Sequence, residues 1–325
     1  MPMARKTKDE HLIEVLHVAE MYYFEQMTQS AIADRLSLSR WTVGRMLESA
    51  RDSGLVHITI DHPLARHHRL EVELTRRFGL SRAIVVPTQG RVEATLDVIA
   101  SAAADNISLL RPAPSVIGVS WGRTLAQVVR HLRPGWTREV TVVQTNGGVA
   151  ITRNDLVGRS VVMMAELGRG RAITLQAPTV LGSAQLCTML RADTSVARTL
   201  EMASHADLLV YSPGPADNGS VLVGAGHISP GDMARLRASG AKADVMSHFV
   251  DSSGHPVDPD LDARTLSMDL EAVRRSPRVI AVAAGLEKAE AMGAALSGGL
   301  CTEVVTDSEV AEAVLSNRTT AGQQE

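Results

Sequence analysis

Between residues 28 and 56 the apolar positions fall into two short helical stripes. Ile32 and Leu36 share one face of a first helix, and Val43, Met46 and Leu47 share one face of a second over Arg40–Asp52. Ser37-Leu38-Ser39 separates them, with Ser39 placed to accept hydrogen bonds from the free N–H groups that open the second helix. Counted from Gln29, small Ala33 falls fifth, where two helices approach closely, and apolar Val43 falls fifteenth, facing that contact. This is the spacing of a helix-turn-helix with Arg40–Asp52 as the recognition helix. The ninth position, commonly Gly, is Ser37, a serine asked to adopt the left-handed region. Upstream, Leu12, Val15, Leu16, Ala19 and Tyr22 or Tyr23 predict a preceding helix over 9–25, a third packing partner for this pair. Asp52-Ser53-Gly54 ends the second helix, and the alternation over 55–60 predicts a short strand, a candidate wing.

The residues left on the open side of this pair are the candidate DNA contacts: Gln29, Ser39, Arg40, Trp41, Thr42, Gly44 and Arg45. Arg reads guanine bidentately and Thr touches a thymine methyl. Trp41 either contacts a base or sugar or packs on the neighbouring helix. The plainer reading, a helix pair that touches no nucleic acid, has the spacing, the turn and the exposed Arg against it.

Beyond this module, 62–80 reads as a linker helix rich in Arg and His. His62, His67 and His68 lack a carboxylate or Cys partner at ligand spacing, so no metal is expected there. From residue 81 the texture changes to short β-rich runs at 83–86, 116–119, 140–144, 172–176, 208–211, 245–250, 279–282 and 303–305. Helical patterns at 92–110, 123–132, 194–205, 266–275 and 288–296 separate most of them. Strands alternating with helices predict an α/β fold, a doubly wound parallel sheet covered on both faces. The expected division is thus 1–61, a winged-helix-like helix-turn-helix; 62–80, the linker helix; and 81–325, an effector-binding and oligomerisation domain.

Such sheets hold ligands beyond the carboxyl ends of their strands. Gly118-Val119-Ser120-Trp121-Gly122-Arg123-Thr124 follows a strand and opens a helix, where backbone N–H groups, Arg123 and Thr124 can hold an anion, or where small residues simply serve the turn. Thr145-Asn146-Gly147-Gly148 follows the next strand. Asn154 and Asp155 come a few residues later, as hydroxyl partners or as helix caps. Ser212-Pro213-Gly214-Pro215 reads as a rigid turn, with Asp217, Asn218 and His227 in a loop over the site. Beyond residue 8 the only lysines are Lys242 and Lys288. Lys288 stands at a strand-to-helix junction, where its ammonium fits a phosphate or sugar oxygen, or where it is simply solvated.

Composition narrows the class. The 325 residues allow two domains, and 45% hydrophobic content describes a globular chain. The net charge of -3, with seven Lys/Arg against eight Asp/Glu over 1–60, gives no general basic footprint; DNA contact has to come from a small dedicated surface. No export signal or apolar run of membrane-spanning length is visible, so a cytoplasmic protein without a membrane partner is expected. Cys187 and Cys301 are isolated and read as reduced core thiols, with no cofactor or metal implied.

The chain resembles the SorC family of bacterial sugar-responsive transcriptional regulators from about residue 10 to 316. The likeness is carried by TQSAIADRLSLSRWTVGRML at 28–47, IGVSWGRTL at 117–125, QTNGGV at 144–149, ADVMSHFVDSSGHPV at 243–257, and GLEKAEAMGAALSGGL at 285–300 followed by VVTD at 304–307. The resemblance implies operator DNA as one partner, and as the other a sugar, polyol or sugar-phosphate effector held in a domain similar in fold to glucosamine-6-phosphate deaminase and ribose-5-phosphate isomerase. On matching positions it implies Gly122, Arg123 and Thr124 as the oxygen or phosphate clamp, Asn146 and Gly147 as the next loop, and Asn154 and Asp155 as hydroxyl partners. It adds Asp244 as an acidic sugar contact, which no spacing argument had marked, and Lys288 as the basic one. Where relatives have Gly-Arg-Phe-Phe-Asp this chain has Ser247-His248-Phe249-Val250-Asp251, and it lacks the Arg or Lys some relatives carry near Asn146. These departures point away from a bisphosphate and from a covalent aldehyde adduct, leaving a monophosphorylated sugar or an uncharged polyol.

A homodimer or homotetramer is expected, because one helix-turn-helix buries too little DNA for strong specificity. The alternative is a sugar-phosphate isomerase or deaminase with an accessory N-terminal domain. It needs a base and a carbonyl-polarising group, and Asp244 with His248 is the pair the sequence offers. Neither spacing nor a nucleophile supports it, so no catalytic residue is assigned.

Overall fold

The computed structural model describes residues 8–56, 66–149 and 156–316. The chain divides into two compact units, Met1–His62 and Pro63–Glu325.

In the first unit α1 (Lys8–Tyr23), α2 (Gln29–Leu36) and α3 (Arg40–Asp52) enclose one small core. Ile32 and Ala33 of α2 meet Val43, Met46, Leu47 and Ala50 of α3, and α1 closes the core with Val15, Val18, Ala19 and Met21. Of the residues named at helical spacing, Val15 and Ala19 enter the core, whereas Leu12 and Leu16 are turned outward, 49% and 43% exposed. The reason is that α1 carries apolar residues on two faces, and periodicity alone does not choose between them. Side-chain caps open both later helices: the Thr28 hydroxyl accepts from the Ala31 N–H at 3.2 Å, and that of Ser39 from the Thr42 N–H at 3.0 Å. Ser37 ends α2 in the left-handed region at φ 55°, which lets the Leu38 N–H reach the Ala33 carbonyl at 2.9 Å. Leu55 and Val56 are irregular, and the rest of the expected wing lies outside the described residues.

The second unit opens with α4 (His68–Phe78), followed by β1 (Arg82–Val86), α5 (Val92–Ser108), β2 (Val116–Val119), α6 (Arg123–His131), β3 (Thr141–Gln144), α7 (Leu156–Leu167) and β4 (Arg171–Ile173). Then come α8 (Ala184–Ala192), α9 (Thr194–Ser204), β5 (Leu208–Tyr211), β6 (Gly214–Pro215), α10 (Val221–Gly224), α11 (Pro230–Ala238), β7 (Ala243–Val245), β8 (His248–Val250) and α12 (Pro259–Ala263). The last described elements are α13 (Leu270–Arg275), β9 (Val279–Val282), α14 (Ala289–Ser297), β10 (Glu303–Asp307) and α15 (Ser308–Ser316).

Seven strands form one parallel sheet in the order β1-β10-β9-β5-β2-β3-β4. Consecutive residues of each central strand alternate between two cores. Leu209 and Tyr211 of β5 point to the layer holding Leu74, Met292 and Val304, while Leu208 and Val210 point to the layer holding Ile99, Leu125 and Val128. Burial on both faces explains why these strands read as continuous apolar runs. From β2 the chain proceeds to β3 and β4 on one side, then returns to place β5 on the other, so the β2/β5 boundary is a topological switch point.

Three expectations are corrected here. The run 245–250 is not one strand of the main sheet but part of a separate antiparallel sheet, β6-β7-β8, in which Met246 and Ser247 make the tight turn between β7 and β8 at φ 52° and 76°. Helix 266–275 begins only at Leu270, because Leu266 and Met268 donate their N–H groups across to Thr179 and Thr145 carbonyls at 2.7 and 2.8 Å. The helix expected as a linker is instead docked on the sheet: Leu70 and Leu74 enter the core beside Leu80 and Ala83. Buried Glu71 accepts from the Val85 N–H at 2.9 Å and from Arg66 Nε at 2.5 Å. Glu71 also stands 3.5 Å from His68 Nδ1, so His68 does have a carboxylate neighbour, three residues along the same helix. Cys187 and Cys301 are buried free thiols, and burial pushes the Cys301 thiol up to about 12. Among the described residues no helix is long and apolar enough to cross a membrane.

Candidate functional site

A cavity of about 360 Å³ opens at the carboxyl ends of the strands, at the switch point. Ser120, Trp121, Gly122, Arg123 and Thr124 arrive on the β2–α6 connection, Asn146 follows β3, and Ser212 follows β5. Ala284, Glu287 and Lys288 come from the β9–α14 connection, Asp244 from β7, and Val92, Glu93 and Leu96 from the start of α5. Helix α6 begins in the cavity wall with Gly122 as its cap and no side-chain hydrogen bond to its first N–H groups, which leaves a partial positive end beside Arg123.

Lys288 is fixed rather than free. Its ammonium donates to Ser212 Oγ at 2.7 Å and to Thr124 Oγ1 at 3.0 Å, leaving one N–H unassigned. Burial, and secondarily the Arg123 guanidinium, lower its pKa to about 8, against the opposing charges of Glu287 and Asp244. Asp244 is shifted the other way. Burial raises its carboxyl to about 6, opposed by the Ser247 N–H it accepts at 2.7 Å and by His248 and Lys288. Arg123 is exposed at the cavity and makes no hydrogen bond to the described residues. Among the described residues the lining therefore carries two cations, Arg123 and Lys288, against three carboxylates, Glu93, Asp244 and Glu287.

The left-handed turn at Met246 and Ser247 forms part of this wall. Its serine hydroxyl accepts from Asn146 Nδ2 at 2.9 Å and from Thr179 Oγ1 at 2.8 Å, tying the β7–β8 turn to the loop after β3. His248 faces elsewhere: Nδ1 lies 2.5 Å from Asp262 Oδ1 and Nε2 3.1 Å from the Met268 carbonyl.

The structure brings together Gly122, Arg123, Thr124, Asn146, Asp244 and Lys288 from the sequence reading. Gly147 stands behind the wall: a Cβ there would lie 2.6 Å from the Pro178 carbonyl oxygen, and its own carbonyl accepts the Trp121 indole N–H at 2.6 Å. Asn154 and Asp155 lie outside the described residues. Asp217, Asn218 and His227 do not line the cavity; Gly219 and Ser220 do. Ser212, Ser247, Glu93 and Glu287 were missed as lining residues. Ser212 had a signal, its place directly after a strand, whereas Ser247 depends on a hairpin without Gly or Asn at its turn.

In the first unit Arg40, Trp41 and Arg45 are exposed on α3, with Trp41 not packed on a neighbouring helix but 69% accessible and stacked by Arg45, whose Cζ is 4.9 Å from the ring centroid. Ser39 and Thr42 are engaged with one another, Oγ to Oγ1 at 2.8 Å, at the head of the helix. Gly44 faces Gln29, whose Oε1 is 3.8 Å from the position a Cβ would take.

A unit whose described residues form three helices, and a parallel α/β unit with a cavity bearing charged side chains at its switch point, are the parts of a small-molecule-binding regulator. Residues 62–316 match the Sugar-bind family model, described as "Putative sugar-binding domain". The chain belongs to this family, the sugar-binding domain of SorC-type transcriptional regulators. It is 30% identical over 308 residues to the transcriptional regulator LsrR of Enterobacter sp. (strain 638), covering 93% of this chain and 92% of that one. It is 28% identical over 305 residues to the deoxyribonucleoside regulator of Bacillus subtilis (strain 168), covering 93% and 97%. The structure of the full-length sorbitol operon regulator SorC from Klebsiella pneumoniae superposes with a TM-score of 0.70 at 25% identity, over 95% of this chain and 100% of that one.

Proposed function

We propose that the chain is a sequence-specific, DNA-binding regulator of a carbohydrate uptake or catabolism operon, acting in the cytoplasm as a homodimer or homotetramer. The first unit serves as a helix-turn-helix, with Gln29, Ser39, Arg40, Trp41, Thr42, Gly44 and Arg45 at operator DNA. The second takes a sugar, a polyol or a sugar monophosphate, in a fold of the glucosamine-6-phosphate deaminase and ribose-5-phosphate isomerase kind. The observation that carries this reading is the gathering of opposite chemistries in one cavity: Arg123, Lys288 and the uncapped start of α6 together with Asp244 and Asn146. The first group suits a phosphate or a sugar oxygen; the second accepts and donates to hydroxyls. Asn154 and Asp155 extend the hydroxyl-binding set.

An effector that favours one arrangement of subunits over another changes the spacing of recognition helices against operator half-sites, and so changes DNA affinity. A regulator rather than an isomerase is supported by His248, which is held by Asp262 and the Met268 carbonyl and is therefore not offered to a substrate as a base. Selection of duplexes from a random pool tests the DNA half of the reading. The wild-type chain enriches one site, and the double variant Arg40→Ala/Arg45→Ala loses that enrichment while keeping its oligomeric state. Undiminished enrichment by the double variant would remove α3 from the DNA surface.

A further inference from the structure

The Trp41 indole is 69% exposed in the first turn of α3, on the helix whose opposite side packs the core through Val43, Met46 and Leu47. Four residues along, on the same side of the helix, Arg45 lays its guanidinium against that indole at 4.9 Å. Arg45 makes no ion pair with a described carboxylate, and the ring is the group it stacks on. Gly44, between them, adds no side chain to the face. We propose that Trp41 and Arg45 form a single base-reading unit. The indole holds the guanidinium extended over the first turns of α3, where Arg45 reads a guanine edge, and its own apolar edge contacts an adjacent thymine methyl. This inference rests on the reading of α3 as the recognition helix. It assigns Trp41 as a specificity determinant that carries no charge, distinct from the phosphate contacts that set general DNA affinity.

The consequences differ from those of a plain surface aromatic. Trp41→Ala weakens binding to the duplex selected by the wild-type chain by roughly tenfold, the scale of one good base contact, and relaxes selection at two adjacent base pairs. It leaves binding to random-sequence duplex and the slope of affinity against salt unchanged, because no phosphate contact is lost. Trp41→Phe, which keeps an aromatic face, recovers part of the loss. In a cycle of Trp41→Ala, Arg45→Ala and the double variant, measured by fluorescence anisotropy on the same duplex, the combined loss is smaller than the product of the single losses. Melting temperature and oligomeric state serve as controls, since an exposed side chain is being removed. Four outcomes would overturn the proposal: wild-type site preference retained by Trp41→Ala, independent effects in the cycle, equal loss on selected and random duplex, or a change of oligomeric state. If the wild-type chain selects no site at all, the recognition-helix reading fails and takes this inference with it; any of the four outcomes with a wild-type site in hand removes only the inference.

Discussion

Lys288 and Asp244 are each shifted toward the neutral form by the same cause, partial burial in the cavity lining, and that couples the site to pH. Asp244, with its pKa raised to about 6, costs the empty fold stability as pH rises from the ordinary carboxylate range through about 6. Lys288, lowered to about 8, costs it stability as pH falls from the ordinary lysine range through about 8. Both groups are charged together only between these values, and there a polyhydroxyl or phosphorylated ligand gains most from them. Effector affinity measured by calorimetry should therefore peak between about pH 6 and 8 and fall on both sides; a flat profile would remove both groups from the ligand contacts. Ser247 makes a second prediction. Replacing it by Ala strands the Asn146 amide and the Thr179 hydroxyl, a cost of about 1–3 kcal/mol in denaturant unfolding. The sequence showed Arg123, Thr124, Asn146 and Lys288 because each stands just after an apolar run, at a strand's carboxyl end. It was silent on Ser247 and Glu93, whose placement depends on tertiary pairing, and Asp244 came from family resemblance alone.

Among the elements, α3 and the strands β2, β5 and β9 were legible to the residue, since caps, apolar period and burial on both faces agree. The β7–β8 hairpin was not. Its turn residues are Met246 and Ser247, neither of which announces a left-handed backbone, and hydrogen bonds from outside the hairpin hold the turn in place. On α1 only part of the apolar set was legible as core: Val15 and Ala19 are buried and Leu12 and Leu16 face out, because the helix carries apolar residues on two faces. Ser37 is the opposite case, a left-handed residue that the spacing did predict. Because Gly adopts φ 55° without the steric cost a serine bears, Ser37→Gly should stabilise the first unit by about 0.5–1 kcal/mol in thermal unfolding, with DNA selection unchanged. Destabilisation would mean that the serine side chain itself supports the turn.

At the scale of the whole molecule the chain joins two units with different tasks. One presents a helix, capped by Ser39, with Arg40, Trp41 and Arg45 exposed, and the other holds a cavity assembled from the ends of β2, β3, β5, β7 and β9. A ligand in that cavity touches connections that belong to separate strands, which is how occupancy of one small site can bias the arrangement of a large domain. The thermal midpoint of the purified chain, measured against pentoses, hexoses, polyols and their monophosphates, tests this most directly, with Lys288→Ala run beside the wild type. At least one compound should raise the wild-type midpoint, since binding to the folded state alone stabilises it, and should fail to raise that of Lys288→Ala. A panel that leaves the wild type unmoved, or a shift that survives intact in Lys288→Ala, would contradict the assignment of the cavity as the effector site.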